Sequence, residues 1–308
     1  MAFDPATATG GSTLTGTKPS VVVRAKNKEE TIELALAGLR SQTIETEIIL
    51  VDSGSTDRTV EIARPYCDEI VAITAEAFSY GGALNLGAQR STGEIVFALS
   101  AHCAPPGPNW VEQSLEAYAD DQVAGTFGYR CGPDGTLLAS PTKFGLADLP
   151  AGPTWGFTNH GSSWRRRVWE RFPFDEQLIS CEDKEWMWRV LAAGLCIVAD
   201  PRLIVEGDHR RRAGLRALYK RVHREHLVLS ELLDYPRITG PTLLRRWWSD
   251  FPEPSSYSNW QRRFSPMRSV ELLGEFTGDL SGSRRRGDQT RAISSWEKAP
   301  GPTTGKVA

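Results

Sequence analysis

Residues 20–57 read SVVVRAKNKEETIELALAGLRSQTIETEIILVDSGSTD, and this stretch decides the fold. Ser20–Arg24 is a continuous β-branched run, the pattern of a strand buried on both faces. Residues 28–41 then put Ile32, Leu36 and Leu39 on one stripe of an amphipathic helix. Glu47–Val51 (EIILV) is a second buried strand. It runs into Asp52-Ser53-Gly54-Ser55-Thr56-Asp57, a polar turn containing glycine. Strand, helix and strand at this spacing specify two parallel strands joined by a helical crossover.

The pattern repeats downstream. A helix is expected over about 57–65, a strand at Ile70–Ile73, a helix at Ala83–Arg90 and a strand at Glu94–Leu99 (EIVFAL). Alternation of this kind implies an α/β fold with a mostly parallel, Rossmann-like sheet flanked by helices. Ligands of such sheets bind beyond the carboxyl ends of the strands. Arg24–Asn27, Asp52–Asp57 and Ser100–His102 therefore converge by topology.

After residue 105 proline and glycine punctuate the chain. A helix is expected at Trp110–Ala119, a strand at 123–129 and an irregular stretch at 130–155. A polar cluster with a helix occupies 160–192. Short strands follow at Cys196–Ala199 and Leu203–Val205, then a helix at Gly214–Leu233. Residues 1–18 and 281–308, which include SGSRRRGDQT and APGPTTGKVA, read as disordered tails. The expected organisation is one α/β domain over 19–212 and a helical extension over 213–280.

The 308 residues suffice for a sizeable core, with 40% hydrophobic and 24% charged residues. A formal net charge of -2 is no footprint of nucleic-acid binding. Arg165–Arg167, Arg210–Arg212 and Arg284–Arg286 are local basic clusters. The cysteines at 67, 103, 131, 181 and 196 are odd in number and lack CxxC spacing. They suit a reducing cytoplasm, not a disulfide framework or a zinc site. Residues 1–18 lack the basic and apolar regions of a signal peptide, and no apolar run is long enough for a transmembrane segment.

Four polar groups carry candidate chemistry. Asp52 can accept hydrogen bonds from a base or a ribose, and the turn after it opens a helix whose N-terminus favours anions. Ser100-Ala101-His102 ends a strand where a nucleotide-diphosphate enzyme needs a divalent cation; imidazole suits Mn²⁺ or Zn²⁺ better than Mg²⁺. Glu182-Asp183 opens a helix, a place the macrodipole favours for acids, and also a place for a general base. His209 follows a strand-like segment in the same half; a lone His is more often structural, and the alternative is that it reaches a metal or the diphosphate.

The order VVVRAKN, VDSGSTDRT, GGALNLGAQRSTGEIVFALSAH, CEDKEW and VEGDH resembles the family 2 inverting glycosyltransferases of GT-A fold, over roughly residues 20–210. The R-x-x-N opening and the EDKEW helix are similar to the bacterial rhamnosyltransferase-like members. The resemblance implies that Arg24, Ala25, Asn27 and Glu29 line the nucleotide and that Asp52 and Ser53 contact it. It puts Asn85 near the donor. It puts Ser100 and Ala101 on the family's DxD stretch, with His102 and His209 as metal ligands. It makes Asp183 the catalytic base and Glu182 its neighbour.

One departure stands out: DxD reads Ser-Ala-His, so both acids are gone. A divalent cation (Mn²⁺ or Mg²⁺) is still implied. Arg165–Arg167 or Arg210–Arg212 are the alternative counter-charge for the diphosphate. The expected partners are a UDP- or dTDP-sugar and an acceptor that is a saccharide, a lipid-linked sugar or a small natural product. No nucleic acid is expected, and a homodimer is compatible. Two rival readings are a non-catalytic or metal-independent sugar-binding relative and a sugar nucleotidyltransferase; RAKNKEE has no glycine to cradle a triphosphate, which opposes the latter. Trp155, Trp164, Trp186 and Trp188 are candidates for stacking on an acceptor ring or for core packing. His223 and His226 share one helix face, as a solvated or dimer-facing stripe would. Trp247, Trp248 and Trp260 suggest packing on the domain or on a second subunit.

Overall fold

The computed structural model describes residues 18–149, 155–207, 214–232, 239–249 and 266–288. The chain divides into two compact units. One comprises Met1–Pro150, Thr154–Leu178 and Glu182–Asp208; the other comprises Ala151–Pro153, Ile179–Cys181 and His209–Ala308.

The larger unit is an eight-stranded sheet. Its strands are β1 (Ser20–Ala25), β2 (Glu47–Asp52), β3 (Glu69–Ala72), β4 (Ile95–Ser100), β5 (Val123–Gly128), β6 (Thr142–Phe144), β7 (Gly161–Arg165) and β8 (Cys196–Asp200), in the order β3-β2-β1-β4-β7-β5-β8-β6. The β3-β2-β1-β4 half is parallel throughout, as the alternation of elements requires. Beyond it β7 runs antiparallel to β4 and β5, and β6 runs antiparallel to β8. The sheet is therefore mixed.

The β-branched runs are buried on both faces because helices cover both. Val21, Val23, Ile48, Leu50, Ile95 and Phe97 pack against α1 (Ile32–Arg40), α2 (Thr59–Ala63) and α4 (Trp110–Glu116). Val22, Val51, Val96 and Ala98 face the other way, against α3 (Tyr80–Arg90), α5 (Arg166–Arg171) and α6 (Glu182–Ala192). Gly87 of α3 sits where an added Cβ would collide with the Val22 side chain, so glycine sets how closely α3 lies on β1.

Four expectations are corrected. First, β7 lies where only a polar cluster was expected. Its sequence, GSSWR, lacks strand-like apolar alternation. Its buried Ser163 is instead satisfied by Ser114, Tyr118 and Thr126 hydroxyls at 2.7–2.9 Å. Second, β6 crosses the stretch expected to be irregular. Third, Leu203–Val205 is no strand: Pro201–Leu203 is a 3-10 turn, capped where Arg202 N donates to Asp200 Oδ1 at 2.8 Å. Fourth, α1 begins at Ile32 and not near 28, because Lys28 N is drawn to Thr59 Oγ1 at 2.6 Å.

The smaller unit contains α7 (Leu215–Leu232), α8 (Gly240–Ser249) and α9 (Pro266–Asp288). Helix α9 runs to Asp288, past the expected tail boundary at 280. Gly274, Gly278 and Gly282 form a ridge on α9, and an added Cβ at any of them would press on α7. His223 and His226 do not form a solvated stripe. Both face α9, with His226 Nδ1 3.0 Å from the buried Asp279 Oδ1 and His223 Nδ1 2.9 Å from Thr277 Oγ1. Trp260 lies outside the described residues.

Candidate active site at the carboxyl ends of β1, β2 and β4

The register brings the three predicted loops together. Ala25 is opposite Asp52, and Arg24 is opposite both Val51 and Ser100. The loops after β1 and β2 then clasp each other. Asn27 adopts a left-handed backbone, φ 51°. It donates from its N–H to Ser55 Oγ at 2.9 Å and accepts from Thr56 N at 2.8 Å. Glu29 Oε2 accepts from Arg58 N at 3.1 Å, and Glu29 N donates to Asp57 Oδ2 at 3.2 Å. Asp52, buried, accepts from Gly54 N and Ser55 N at 3.1 and 2.9 Å, and buried Ser53 donates its N–H to Ala25 O at 2.9 Å. Asn27 and Glu29 thus tie the loop after β1 to the loop after β2, and Asp52 holds the turn of the latter. A carboxylate has about four acceptor positions, so Asp52 keeps capacity for a further donor.

At the end of β4, Ser100 N donates to His160 O at 3.0 Å and Ala101 N to Arg24 O at 3.3 Å. The half-buried His102 ring meets His160 edge-on, with centroids 5.9 Å apart. Thr158 Oγ1 and His160 Nδ1 are 2.6 Å apart, which fixes the His160 ring.

Beneath this edge lies a charged hub. Arg24 Nη1 is 3.5 Å from Glu182 Oε1, and Arg24 Nη2 donates to Asn159 O at 3.3 Å. The Arg24 guanidinium also stands over the Tyr80 ring, 5.7 Å from its centroid. Asn159 reaches both acids: its Nδ2 donates to Glu182 Oε1 and its backbone N–H to Asp183 Oδ2, each at 3.3 Å. Glu182 is buried and Asp183 half-buried. Burial first, and then the neighbouring Asp183 charge, push the Glu182 carboxyl up, while Arg24 pulls the other way. The residue before the pair, Cys181, has φ 61°, a left-handed backbone that few side chains adopt. Arg24 Nε is buried with no hydrogen-bond partner in the structure, an orphan donor of the kind that bound molecules satisfy.

Three expectations change here. Asn85 is no donor contact: both amide hydrogens and both acceptor positions are used, by Phe174 O and Glu176 Oε1 and by Trp169 Nε1 and Phe174 N, at 2.8–3.0 Å. Arg165–Arg167 sit at the opposite end of the sheet, since Arg165 pairs with Ile95 at the start of β4. The Arg165 and Arg166 guanidiniums are consumed by backbone carbonyls there. Trp155, Trp164 and Trp186 are buried in the core and Trp188 packs against it, so none of the four reads as an acceptor platform. His209 and Arg210–Arg212 lie outside the described residues.

Sequence reasoning missed Asn159, His160 and Tyr80. The triplet Thr158-Asn159-His160 was a usable signal, but it pointed nowhere until GSSWR was recognised as a strand next to β4. Among the described residues no group of three His, Cys, Asp or Glu is poised to hold a metal ion. No helix is long and apolar enough to cross a membrane, among those described.

Comparison with known proteins bears on this arrangement. The family model described as Glycosyl transferase family 2 matches residues 20–172. The glycosyltransferase AglE of Haloferax volcanii is 29% identical over 197 residues, covering 59% of this chain and 64% of AglE. The O-antigen chain rhamnosyltransferase WbaN of Salmonella anatum is 26% identical over 180 residues, covering 53% of this chain and 57% of WbaN. The chain thus spans less than two thirds of the length of these curated relatives. Among solved structures, the mannosyltransferase PcManGT from Pyrobaculum calidifontis, in complex with GDP-Man and Mn2+, is similar with a TM-score of 0.55 at 17% identity. That match covers 86% of this chain and 72% of the other, and it shows the shared GT-A fold.

Proposed function

The chain belongs to glycosyl transferase family 2, and from that premise we propose that it moves a sugar from a nucleotide-diphosphate donor to an acceptor hydroxyl with inversion. The observation that carries the reading is the hub of Arg24, Asn159, Glu182 and Asp183 beside Ser100, at the carboxyl ends of β1 and β4. Parallel sheets bind their ligands at that edge.

The two acids divide the work by exposure. Glu182 is buried and tied to Arg24 and Asn159, so it positions. Asp183 is half-buried and held by the N–H groups of Asn159 and Lys184, so it is the base. Asp183 takes the proton from the acceptor hydroxyl as that oxygen attacks the anomeric carbon. The bond from that carbon to the diphosphate oxygen breaks, and the nucleoside diphosphate leaves with the electron pair. One displacement inverts the anomeric centre.

A divalent cation belongs to the same proposal. His102 and His160 put two imidazoles at the end of β4, a donor set that suits Mn²⁺. His209, outside the described residues, is the further ligand proposed. Cations in such sites commonly take part of their coordination from substrate phosphates. When bound there, the cation would supply counter-charge to the diphosphate. The donor is proposed to be a UDP- or dTDP-sugar. The acceptor class is a sugar hydroxyl, lipid-linked or free, by analogy with a relative described as acting on an O-antigen chain. The test is release of nucleoside diphosphate from a panel of UDP- and dTDP-sugars by the purified chain. Release from at least one donor is expected, and failure to bind any nucleotide sugar overturns the proposal.

A further inference from the structure

Inversion makes a demand on the space around Asp183. The attacking acceptor oxygen and the departing diphosphate oxygen lie on opposite faces of the transferred sugar. With the diphosphate at the ends of β1 and β4, the acceptor comes from the other side of Asp183. The strand order puts β7 and then β5 on that side.

The register shows which side chain stands there. Phe127 of β5 pairs antiparallel with Ser162 of β7. Continued by two residues toward the site edge, this register brings Tyr129 level with His160. His160 O in turn accepts from Ser100 N at 3.0 Å. Ser100, His160 and Tyr129 thus form a row across β4, β7 and β5, about 10 Å long at the usual strand spacing. Asn159, next to His160, holds Asp183 Oδ2 through its N–H at 3.3 Å. The acid is therefore tied to the middle column of the row, with Ser100 to one side and Tyr129 to the other.

Tyr129 also lies on the matching face of the sheet. It packs with Phe127 against the cluster that holds Val22, Ala98 and Trp186, on the side covered by α3, α5 and α6. Arg24 and Ser100 follow Val22 and Ala98 by two residues, so they share that side. The Tyr129 ring meets Phe127 at 5.8 Å and 51° and Trp155 at 6.1 Å and 81°. Trp155 is fixed in turn, because its Nε1 donates to Cys131 O at 2.8 Å. Tyr129 itself is half-buried. Among the described residues no ring lies parallel on it, and its hydroxyl has no protein partner. Tyr80, the other tyrosine of this edge, already carries the Arg24 guanidinium.

Resting on the inverting-transferase reading, we propose that Tyr129 is the acceptor platform, its ring under an acceptor pyranose and its hydroxyl bonded to one of that sugar's hydroxyls. A pyranose has an apolar C–H face and a rim of hydroxyls. A tyrosine has an apolar body and a polar tip, which match both. A bare phosphate would make no use of the ring, and an alkyl chain would leave the hydroxyl unpaired.

The test is saturation-transfer NMR titration of the full chain with methyl glycosides of common pyranoses, and with the octyl glycosides of the same sugars. Tyr129→Leu keeps an apolar side chain in the aromatic seat without a ring, and Tyr129→Phe keeps the ring without the hydroxyl; circular dichroism checks both folds. At least one methyl glycoside is expected to bind. Tyr129→Leu is expected to weaken it on the order of tenfold, and Tyr129→Phe by no more than about threefold. The octyl glycoside is expected to depend on Tyr129 in the same way, and any extra affinity it has over the methyl glycoside marks a lipid-linked acceptor rather than a free saccharide. Equal binding by wild type and Tyr129→Leu, binding of octyl but not methyl glycosides, or no glycoside binding at all overturns the proposal. Release of nucleoside diphosphate by the wild type, measured in parallel, reports on the transferase reading separately. Glycoside binding through Tyr129 without such release from any donor overturns that reading and leaves the sugar site standing.

Discussion

Arg24 Nη1 lies 3.5 Å from Glu182 Oε1, an ion pair with side chains only 13% and 7% exposed. It joins the end of β1 to the start of α6, so the β1 edge and the acid pair are held in one geometry. A buried ion pair is weak evidence of stability, because desolvation offsets attraction; its value here is positional.

The pair has a pH signature. Burial, and then the Asp183 charge, raise the Glu182 carboxyl above the ordinary Glu range. The folded chain therefore holds that proton to higher pH than the unfolded chain does. Glu182 makes stability fall as pH rises from its ordinary value through its raised one, and then level off. Glu182→Gln lacks this contribution. The stability difference, variant minus wild type by urea denaturation, is expected to grow with pH through that window. A flat or shrinking difference contradicts the assignment.

Asn159 is proposed as a positioning residue. Asn159→Ala keeps the backbone N–H to Asp183 but loses the side-chain bond that fixes Glu182. Once a donor is identified, kcat is expected to fall, by up to about 100-fold for a displacement near 1 Å. KM for the donor should stay within about twofold of wild type, since Asn159 is assigned no ground-state contact with it. A change confined to KM would contradict this role.

Asn85 is expected to behave in the opposite way. Asn85→Ala leaves Trp169 Nε1 and Phe174 N without an acceptor in a buried place. The cost is about 1–3 kcal/mol for each buried group left unpaired, read as a lower urea midpoint. Donor affinity of the folded fraction is expected to be unchanged.

The cation is tested by chelation. EDTA is expected to lower donor turnover on the order of tenfold or more, with recovery on adding Mn²⁺. His102→Ala is expected to lose most of that recovery. Turnover indifferent to both treatments would remove the cation from the site.

The sequence was informative where burial leaves a simple pattern. The β-branched runs at 20–25 and 47–52 showed as strands because both faces are covered, and their carboxyl ends mark the candidate site. It was silent where side chains satisfy one another in space. GSSWR is a central strand whose Ser163 is stabilised by hydroxyls from α4 and β5, a relation no local window contains. With that strand unseen, Asn159 and His160 had no position and Arg165–Arg167 had the wrong one. Asn85 has the sequence context of a ligand contact, and only its four partners reveal a brace. Asp52, Glu182 and Asp183 were legible as acids at element ends, but the roles proposed for Glu182 and Asp183 rest on depth of burial.

The most direct test compares the wild type with Asp183→Asn on one identified donor and acceptor. Donor binding is measured by calorimetry, and the product's anomeric configuration by proton NMR. The wild type is expected to give inverted product, and Asp183→Asn to bind the donor normally while transfer falls by about 10²–10⁴. Retained configuration in the product, or transfer by Asp183→Asn at the wild-type rate, would contradict the account.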